Sequence, residues 1–461
     1  MSTFKRGIHP FGYHKAETAE KAVRELPLPK RVVLPLQQNL GCPNEALVKV
    51  GDEVHEGQKI ADSAKFVAAP IHAPISGRVT KIEKLPNPCG FDVPAIVIDA
   101  GENAPQEARY DGKWSVDELA PEQIRKIVRE AGIVGLGGAA FPTHVKLSPP
   151  PEKKIGAIII NGCECEPYIT ADHRIMLERT EDVLYGAKAI AKAVGADRII
   201  IGVEDNKQDA IEKLKYEIRN GSTSSPYQPS REKSRDTKSE TNTKLEIQSL
   251  KTKYPQGGEK MLIKATLGRE VPSGGLALDV GVVVQNVGTA VAVAEAIKLG
   301  KPLIDRVVTV TGSGVKEPQN LLVRIGTSFL EIIEHGGGLK DDAAKLIMGG
   351  PMMGLAVSSL DLPVVKATTC LLVLSKKEVR EYEEQSCIRC GRCIKACPIG
   401  LTPNFLADFI KLKDWARVEE YHVADCIECG CCAYVCPSRI YLVQYFKIAK
   451  RELQTRKAVC R

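Results

Sequence analysis

Eight cysteines near the C-terminus carry the clearest chemistry in this 461-residue chain. They form two runs with the same spacing, C-x2-C-x2-C-x3-C, and a proline follows each run. Such runs bind [4Fe–4S] clusters, and in a pair of runs the fourth thiolate of each belongs to the other cluster. The predicted ligand sets are Cys387, Cys390, Cys393 and Cys436 for one cluster, and Cys426, Cys429, Cys432 and Cys397 for the other. The chain is therefore expected to transfer electrons one at a time.

The remaining cysteines do not suggest a disulfide framework. They are odd in number and irregularly spaced, whereas disulfide scaffolds usually hold an even number. Thiolate-bound clusters also indicate a reducing compartment. The N-terminus lacks the apolar core of a signal peptide, and no stretch reaches the roughly 18 apolar residues that a transmembrane helix needs. We expect a cytoplasmic protein that reaches a membrane, if at all, through a partner.

The net charge of the chain excludes few kinds of partner. A net charge of +7 is modest for this length. It would fit an acidic partner or anionic headgroups, but an ordinary solvated surface is the favoured explanation. The polar interval 220–244 mixes charges of both signs and contains one aromatic residue, so we predict a mobile surface insertion there and no nucleic-acid partner.

A glycine-rich loop begins at Gly135 and continues through Gly137 and Gly138 to Ala140. Its residues match the G-x-G-x-x-A form of the dinucleotide fingerprint, but that motif needs a strand before it and a helix after it. Here a helical pattern precedes and a proline follows, which disfavours a conventional dinucleotide fold. The glycines still allow the backbone to approach a ligand closely, with amides available for phosphate. Because nicotinamide delivers a hydride and clusters carry single electrons, a flavin is the expected intermediary.

Four segments resemble known flavoproteins. Residues 135–146 (GLGGAAFPTHVK) and 161–167 (NGCECEP) are similar to the "GxGGAGFPTGxKW" and "NADESEP" segments of the flavin- and NADH-binding subunit of respiratory complex I. Residues 254–259 (YPQGGE) and 284–289 (VQNVGT) look like its later "Y-CGEE" and "VNNVET" segments. The order of all segments, over nearly the whole chain outside 220–244, resembles still more closely the C subunits of Rnf electron-transport complexes.

The resemblance implies roles for particular residues. Those expected to bind FMN are Gly135, Gly137, Gly138, Asn161 and Asn286. Those expected near the phosphate or the nicotinamide nucleotide are Phe141, Lys146, Glu164, Glu166 and Glu259, with Glu164 and Glu166 as the catalytic candidates. A carboxylate can hold ribose hydroxyls. Ala140, Leu147 and Gly258 depart from the complex I pattern, which weakens the transfer of nicotinamide contacts more than that of flavin contacts.

The predicted fold is multidomain, α/β and α+β. Residues 1–105 resemble the barrel-sandwich domains that carry biotin or lipoate, with Lys65 near the position of a modified lysine, although an unmodified barrel is favoured. Residues 115–290 resemble a complex-I-like FMN-binding α/β domain, in which apolar runs at 155–160 and 198–203 predict buried strands and the pattern at 181–195 predicts a helix. Residues 300–360 predict a small β-grasp-like domain that binds a soluble ligand. Residues 375–450 predict a helical ferredoxin-like domain with two [4Fe–4S] clusters.

The resemblance implies a peripheral subunit on the cytoplasmic side of the cell inner membrane. It would belong to an Rnf-type ion-translocating NADH:ferredoxin oxidoreductase, exchanging hydride between NAD(H) and FMN and passing electrons through two clusters. Its partners would be other subunits, including an iron–sulfur subunit that exchanges electrons with ferredoxin. Two alternatives stay open: a microcompartment cobalamin reductase, whose glycine loop lies near its N-terminus, and an electron relay without nicotinamide chemistry.

Overall fold

The computed structural model describes residues 2–101, 110, 112, 114–220, 243–379 and 381–459, with side chains to 456. The predicted insertion at 220–244 lies almost entirely outside these residues. The N-terminal segment contains α1 (Ala16–Ala19) and β1 (Val23–Glu25) and contacts all three other domains before the barrel begins. The amide of Ile8 donates to the carbonyl oxygen of Tyr254 (2.8 Å), and that of Gly7 donates to Ala396 (3.1 Å).

The barrel consists of two small antiparallel sheets packed face to face. One has the strand order β2-β8-β7-β4 and the other β3-β5-β6. The bounds are β2 (Arg31–Pro35), β3 (Glu45–Ala46), β4 (Glu53–Val54), β5 (Lys59–Asp62), β6 (Ile71–His72), β7 (Gly77–Pro86) and β8 (Asp92–Ala100). Apolar side chains such as Val32, Ile60 and Ile96 fill the space between the sheets and are fully buried, as the alternation of strand faces requires.

A parallel four-stranded sheet forms the second domain. Its strands are β9 (Ala157–Gly162), β10 (Arg198–Glu204), β11 (Lys244–Leu250) and β12 (Val282–Asn286), in the order β11-β10-β9-β12. The helices that cover it are α2 (Pro121–Glu130), α3 (Thr143–Lys146), α4 (Ala171–Glu178), α5 (Thr180–Val194), α6 (Gln208–Asn220), α7 (Glu259–Leu267) and α8 (Val287–Leu299). The predicted strands and the helix at 181–195 are confirmed, because both sheet faces are covered and continuous apolar runs are buried.

The strand order creates a switch point in this sheet. From β9 the chain proceeds outward to β10 and β11, and it then returns to the opposite side of β9 with β12. In open parallel sheets, ligands bind in the crevice outside the carboxyl ends of the strands at such a point. The ends of β9 and β12 are therefore the place to look for a site.

The third domain is built on a mixed six-stranded sheet with the order β1-β14-β13-β17-β15-β16. Its further elements are β13 (Asp305–Thr311), β14 (Gln319–Arg324), α9 (Phe329–His335), β15 (Ala343–Met348), β16 (Leu355–Val357) and β17 (Cys370–Ser375). The N-terminal strand β1 pairs in parallel with β14. The sheet thus includes two strands from outside the interval 300–360 and ties the N-terminal segment to this domain.

The C-terminal domain is helical. Its helices are α10 (Arg392–Ala396), α11 (Pro403–Lys411), α12 (Trp415–Glu420), α13 (Cys431–Tyr434) and α14 (Leu442–Val459). Leu406, Val418 and Phe446 are buried at its centre. Within the part of the chain that the structure describes, none of the helices is long and apolar enough to cross a bilayer.

Candidate functional site

Two cavities in the C-terminal domain are each lined by four cysteines drawn from both runs. The cavity that we name the inner cage is lined by Cys426, Cys429, Cys432 and Cys397. The one that we name the outer cage is lined by Cys387, Cys390, Cys393 and Cys436. Most of the remaining lining is apolar, and Cys431 also borders the inner cage. Four thiols around a largely apolar cavity fit a [4Fe–4S] cluster, and the fourth cysteine is exchanged between the runs.

The two cysteine loops have the same local conformation. Arg389 and Gly391 in the first run have left-handed backbones, as do Glu428 and Gly430 at the equivalent positions of the second. This conformation turns backbone amides toward sulfur: the amide of Arg389 lies 3.4 Å from the sulfur of Cys387, and that of Glu428 lies 3.4 Å from Cys426. Amides that point at thiolates stabilise their negative charge.

Two asparagines occupy the switch point of the parallel sheet. Asn161 is the second-last residue of β9, Asn286 is the last residue of β12, and the two are register partners. The side chain of Asn161 donates to the carbonyl of Gly257 (2.8 Å). The oxygen of Asn286 caps α8 by accepting from Gly288 (2.8 Å). The sequence indicated each residue separately, and the sheet order brings them together.

The glycine loop lies directly over this crevice. Its base is closed because the amide of Gly135 donates to the carbonyl of Phe141 (2.8 Å). A Cβ at Gly137 would lie 3.5 Å from Asn286, so the loop passes close to that side chain. Gly138 has φ +111°, and nothing lies within 4 Å of where its Cβ would be. Residues 137–139 are exposed, so their backbone is accessible to a ligand.

Lys146 and Glu259 meet at the side of the same crevice. The ammonium of Lys146 lies 2.6 Å from the carboxylate of Glu259 and 3.2 Å from the carbonyl oxygen of Val284. Glu259 is the first residue of α7, and both side chains are about one third exposed. The structure therefore brings these two predicted residues together as an accessible ion pair near the end of β12.

Glu164 and Glu166 are placed differently from the other predicted residues. The carboxylate of Glu164 accepts from the amides of Asp172 (2.6 Å) and His173 (3.3 Å) at the start of α4. That of Glu166 accepts from the amides of Met352 (2.6 Å) and Met353 (3.0 Å) in the third domain. Both carboxylates are occupied by these contacts, so their catalytic role remains a prediction.

Charge balance around Glu164 depends on a lysine that the sequence did not indicate. Burial raises the pKa of Glu164 to about 7, and the nearby ammonium of Lys15 acts in the opposite direction. Lys15 is 3.9 Å from that carboxylate and donates to the carbonyl oxygens of Glu164 (2.8 Å) and Glu166 (3.0 Å). A second buried lysine, Lys207, donates to the carbonyl of Cys163 (2.7 Å). The two lysines therefore fix the turn that follows β9.

We name the switch point between Asn161 and Asn286, beneath the glycine loop, the asparagine crevice. The turn 254–258 connects it with the inner cage. Gly257 accepts from Asn161 on one side, and its amide lies 3.2 Å from the sulfur of Cys165. Tyr254 is fully buried, and its hydroxyl donates to the carbonyl oxygen of Cys429 (2.8 Å). Burial raises the pKa of the Cys165 thiol, which fits a packing residue.

Comparison with known domain families defines the class of protein. The Nuo51 FMN-binding domain matches residues 128–295, and a 4Fe-4S dicluster domain matches 386–440. The RnfC barrel sandwich hybrid domain matches 2–103, and an SLBB domain matches 307–356. The chain is thus a flavin- and iron–sulfur-dependent electron-transfer protein with FMN and two [4Fe–4S] clusters as cofactors, and the predicted fold class is confirmed.

Full-length relatives specify the family. The C subunit of the proton-translocating ferredoxin:NAD(+) oxidoreductase complex of Clostridium ljungdahlii is 46% identical, over 88% of this chain and 84% of the relative. Its counterpart in the Na(+)-translocating complex of Acetobacterium woodii is 43% identical, over 98% and 97%. The equivalent protein of the ion-translocating oxidoreductase complex of Rhodobacter capsulatus is 41% identical, over 99% and 84%. The chain belongs to the family of C subunits of Rnf-type ion-translocating oxidoreductase complexes, as predicted.

A solved structure shares the fold at lower similarity. The NAD+-reducing [NiFe]-hydrogenase in the H2-reduced state aligns with a TM-score of 0.50 and 18% identity, over 75% of this chain and 68% of the other. This likeness concerns the fold alone. The barrel domain of the Rnf family is present at residues 2–103.

Proposed function

We propose that this subunit exchanges hydride with NAD(H) at the asparagine crevice and passes electrons singly through the inner cage and then the outer cage to a partner subunit. When bound, FMN converts the two-electron hydride step into one-electron steps. The position of the turn 254–258, which contacts both Asn161 and Cys429, carries this proposal. It gives the crevice and the inner cage a common wall.

Residues around the crevice divide into two groups by their positions. The exposed amides of 137–139, with Asn161 and Asn286 beneath, form a polar cradle that suits the flavin and its phosphate. The ion pair of Lys146 and Glu259 lies at the side, where it can meet a second nucleotide. Because its side chains are partly exposed, the pair can open to give Lys146 to phosphate and Glu259 to a ribose.

The exposure of the cysteines supports the proposed order of electron transfer, from the inner cage to the outer cage. Three of the four inner-cage cysteines are buried, whereas Cys387 and Cys390 of the outer cage are exposed. An exposed cage suits electron exchange with another subunit. We infer a peripheral position on the cytoplasmic face of the membrane complex, beside an iron–sulfur subunit that exchanges electrons with ferredoxin.

Addition of NADH to anaerobic protein tests the proposal. Protein with its full content of FMN and iron should lose its flavin absorbance on addition of NADH, and cluster signals should then appear in electron paramagnetic resonance. A non-catalytic relay would behave differently: dithionite would reduce the flavin and NADH would not. That outcome would refute the nicotinamide chemistry but leave the cage assignments intact.

A further inference from the structure

Two loops of the barrel contact the glycine loop of the flavin domain. The amide of Leu40 donates to the carbonyl oxygen of Ala140 (3.1 Å). The imidazole Nε2 of His144 lies 2.9 Å from the carbonyl oxygen of Phe66, to which it donates. The two barrel loops are joined because the amide of Cys42 donates to Val67 (2.9 Å). The barrel therefore borders the end of the glycine loop that lies opposite Asn286.

The barrel tip, residues 63–66, is held at both of its ends by side chains of the flavin domain. Arg129 donates to the carbonyl of Ser63 (2.9 Å) and to the carboxylate of Asp62 (2.7 Å). His144 holds the carbonyl of Phe66. A lysine that carries a prosthetic group between sites needs a tip that is free to move. Because this tip is fixed, Lys65 is suited to a stationary role at the glycine loop.

Three side chains of this region point to a ligand by their exposure and chemistry. Phe66 is 59% exposed and Leu40 is 57% exposed, although the backbones of both are fixed by hydrogen bonds. Lys65, which precedes Phe66 in the barrel tip, is exposed as well. Two apolar side chains and a cation beside accessible glycine amides suit a flat heteroaromatic base linked to phosphates.

We propose that Leu40, Lys65 and Phe66 form a subsite for the adenosine diphosphate half of a nicotinamide dinucleotide. We name these three residues the barrel lip; it shares Lys65 and Phe66 with the barrel tip at 63–66 and adds Leu40. The adenine contacts Phe66 and Leu40, and Lys65 faces the pyrophosphate. The inference rests on the proposed reaction of NAD(H) at the asparagine crevice. It follows from continuity: with the nicotinamide half at the flavin and at the ion pair of Lys146 and Glu259, the adenosine half can extend past the glycine loop, and the barrel lip borders that loop at Ala140.

The experiment compares NADH with reduced nicotinamide mononucleotide, which lacks the adenosine half. Phe66→Ala should raise the KM for NADH about tenfold, the size expected for the loss of an aromatic contact to a base. Lys65→Ala should raise it several-fold, with a weaker dependence on salt. Neither variant should change the KM for the mononucleotide. The assay is NADH-dependent reduction of ferricyanide by the whole protein, with FMN content measured for each variant.

Phe91→Ala and Lys84→Ala provide matched controls, because both residues are exposed on the hairpin of β7 and β8, which is not part of the barrel tip. These controls should keep the wild-type KM for both substrates. An unchanged KM for NADH in Phe66→Ala and Lys65→Ala would overturn the proposed role of the barrel lip. An equal rise in KM for both substrates would overturn it as well. If wild-type protein does not react with NADH at all, the proposed function fails first. If Phe66→Ala loses its flavin, the exposed Lys65 gives the same comparison.

Discussion

Glu166 illustrates how a buried carboxylate acts through geometry. A single oxygen of Glu166 accepts from both Met352 and Met353. The Glu166 side chain also fills the space beside Gly350, where it leaves no room for a Cβ. The carbonyl of Met352 in turn would lie 2.9 Å from a Cβ at Gly430, beside the inner cage. Glu166 thus positions a loop of the third domain between the turn after β9 and the cluster loop.

A pair of substitutions separates this positioning role from catalysis. Glu166→Gln keeps an oxygen that can accept from both amides, so its thermal stability and NADH activity should stay near wild type. Glu166→Ala removes the acceptor of both amides. Met353 is exposed, so water can replace its acceptor, and the cost of about 1–3 kcal/mol applies to the amide of Met352. The midpoint of thermal unfolding should therefore fall. A large loss of NADH activity in Glu166→Gln with unchanged stability would instead establish a catalytic carboxylate.

At the residue scale, a prediction from sequence depends on a local signal. The cysteine spacing predicts the cluster ligands because three ligands of each set lie within one short loop, and the structure groups the same cysteines around the two cages. Lys15 and Lys207 left no such signal: Lys15 contacts a turn 149 residues further along the chain, and its surroundings in the sequence have no periodicity. The burial of Glu166 was missed for the same reason, because its partners are 186 residues away.

At the scale of elements, the order of the strands determines which residues meet at the site. Asn161 and Asn286 are far apart in the sequence and become neighbours only because β12 pairs with β9 and not with β11. Alternating strands and helices predicted an α/β domain, but several strand orders satisfy that pattern. The crevice could therefore be predicted as a class of site, whereas its position required the sheet topology.

The order of the two cages leads to a prediction with a built-in control. Cys390 and Cys429 are the second cysteines of their runs, so Cys390→Ser and Cys429→Ser are matched substitutions in the outer and inner cages. After NADH addition, Cys390→Ser should still reduce the inner cluster at the wild-type rate. Cys429→Ser should reduce its flavin but transfer electrons to the outer cluster much more slowly, because the cluster beside the turn 254–258 is missing.

Rapid-freeze electron paramagnetic resonance measures this order. The two variants must contain wild-type amounts of FMN, and dithionite must reduce the remaining cluster in each. Fast reduction of the outer cluster in Cys429→Ser would show that electrons reach it by another route. Slow reduction of the inner cluster in Cys390→Ser would reverse the order of the cages.

At the scale of the whole molecule, a buried lysine joins three domains. Lys366, which lies between β16 and β17, donates to the carbonyl of Pro70 in the barrel and to that of Gly132 in the flavin domain, both at 2.7 Å. Its backbone amide donates to Gln38 of the barrel (3.2 Å). Long-range contacts of this kind explain why the domain order could be read from the sequence but the packing of the domains could not.

The surroundings of Lys366 make the assembly sensitive to pH. Burial lowers the pKa of Lys366 to about 7, with Arg129 acting in the same direction and Asp62 against it. His72 faces the same interior, and its pKa is lowered to about 3, first by burial and then by Lys366. His72 is therefore neutral above pH 5, and Lys366 is the group that titrates near neutrality. Its neutral amine can still donate to both carbonyl oxygens.

The sign of the effect follows from proton binding in the two states. An unfolded lysine has a pKa of about 10.4, so between pH 7 and pH 10 the unfolded chain binds more protons than the folded one. Stability should then rise with pH across this window, by up to about 1.4 kcal/mol per pH unit from this group.

Lys366→Met should lower the midpoint of thermal unfolding, because two carbonyls lose their donor, and should remove this rise between pH 7 and 8.5. Release of FMN fluorescence reports the unfolding, and the exposed Lys84→Met is the control. Equal pH slopes for wild type and Lys366→Met would contradict the prediction and locate the charge of Lys366 in the folded state.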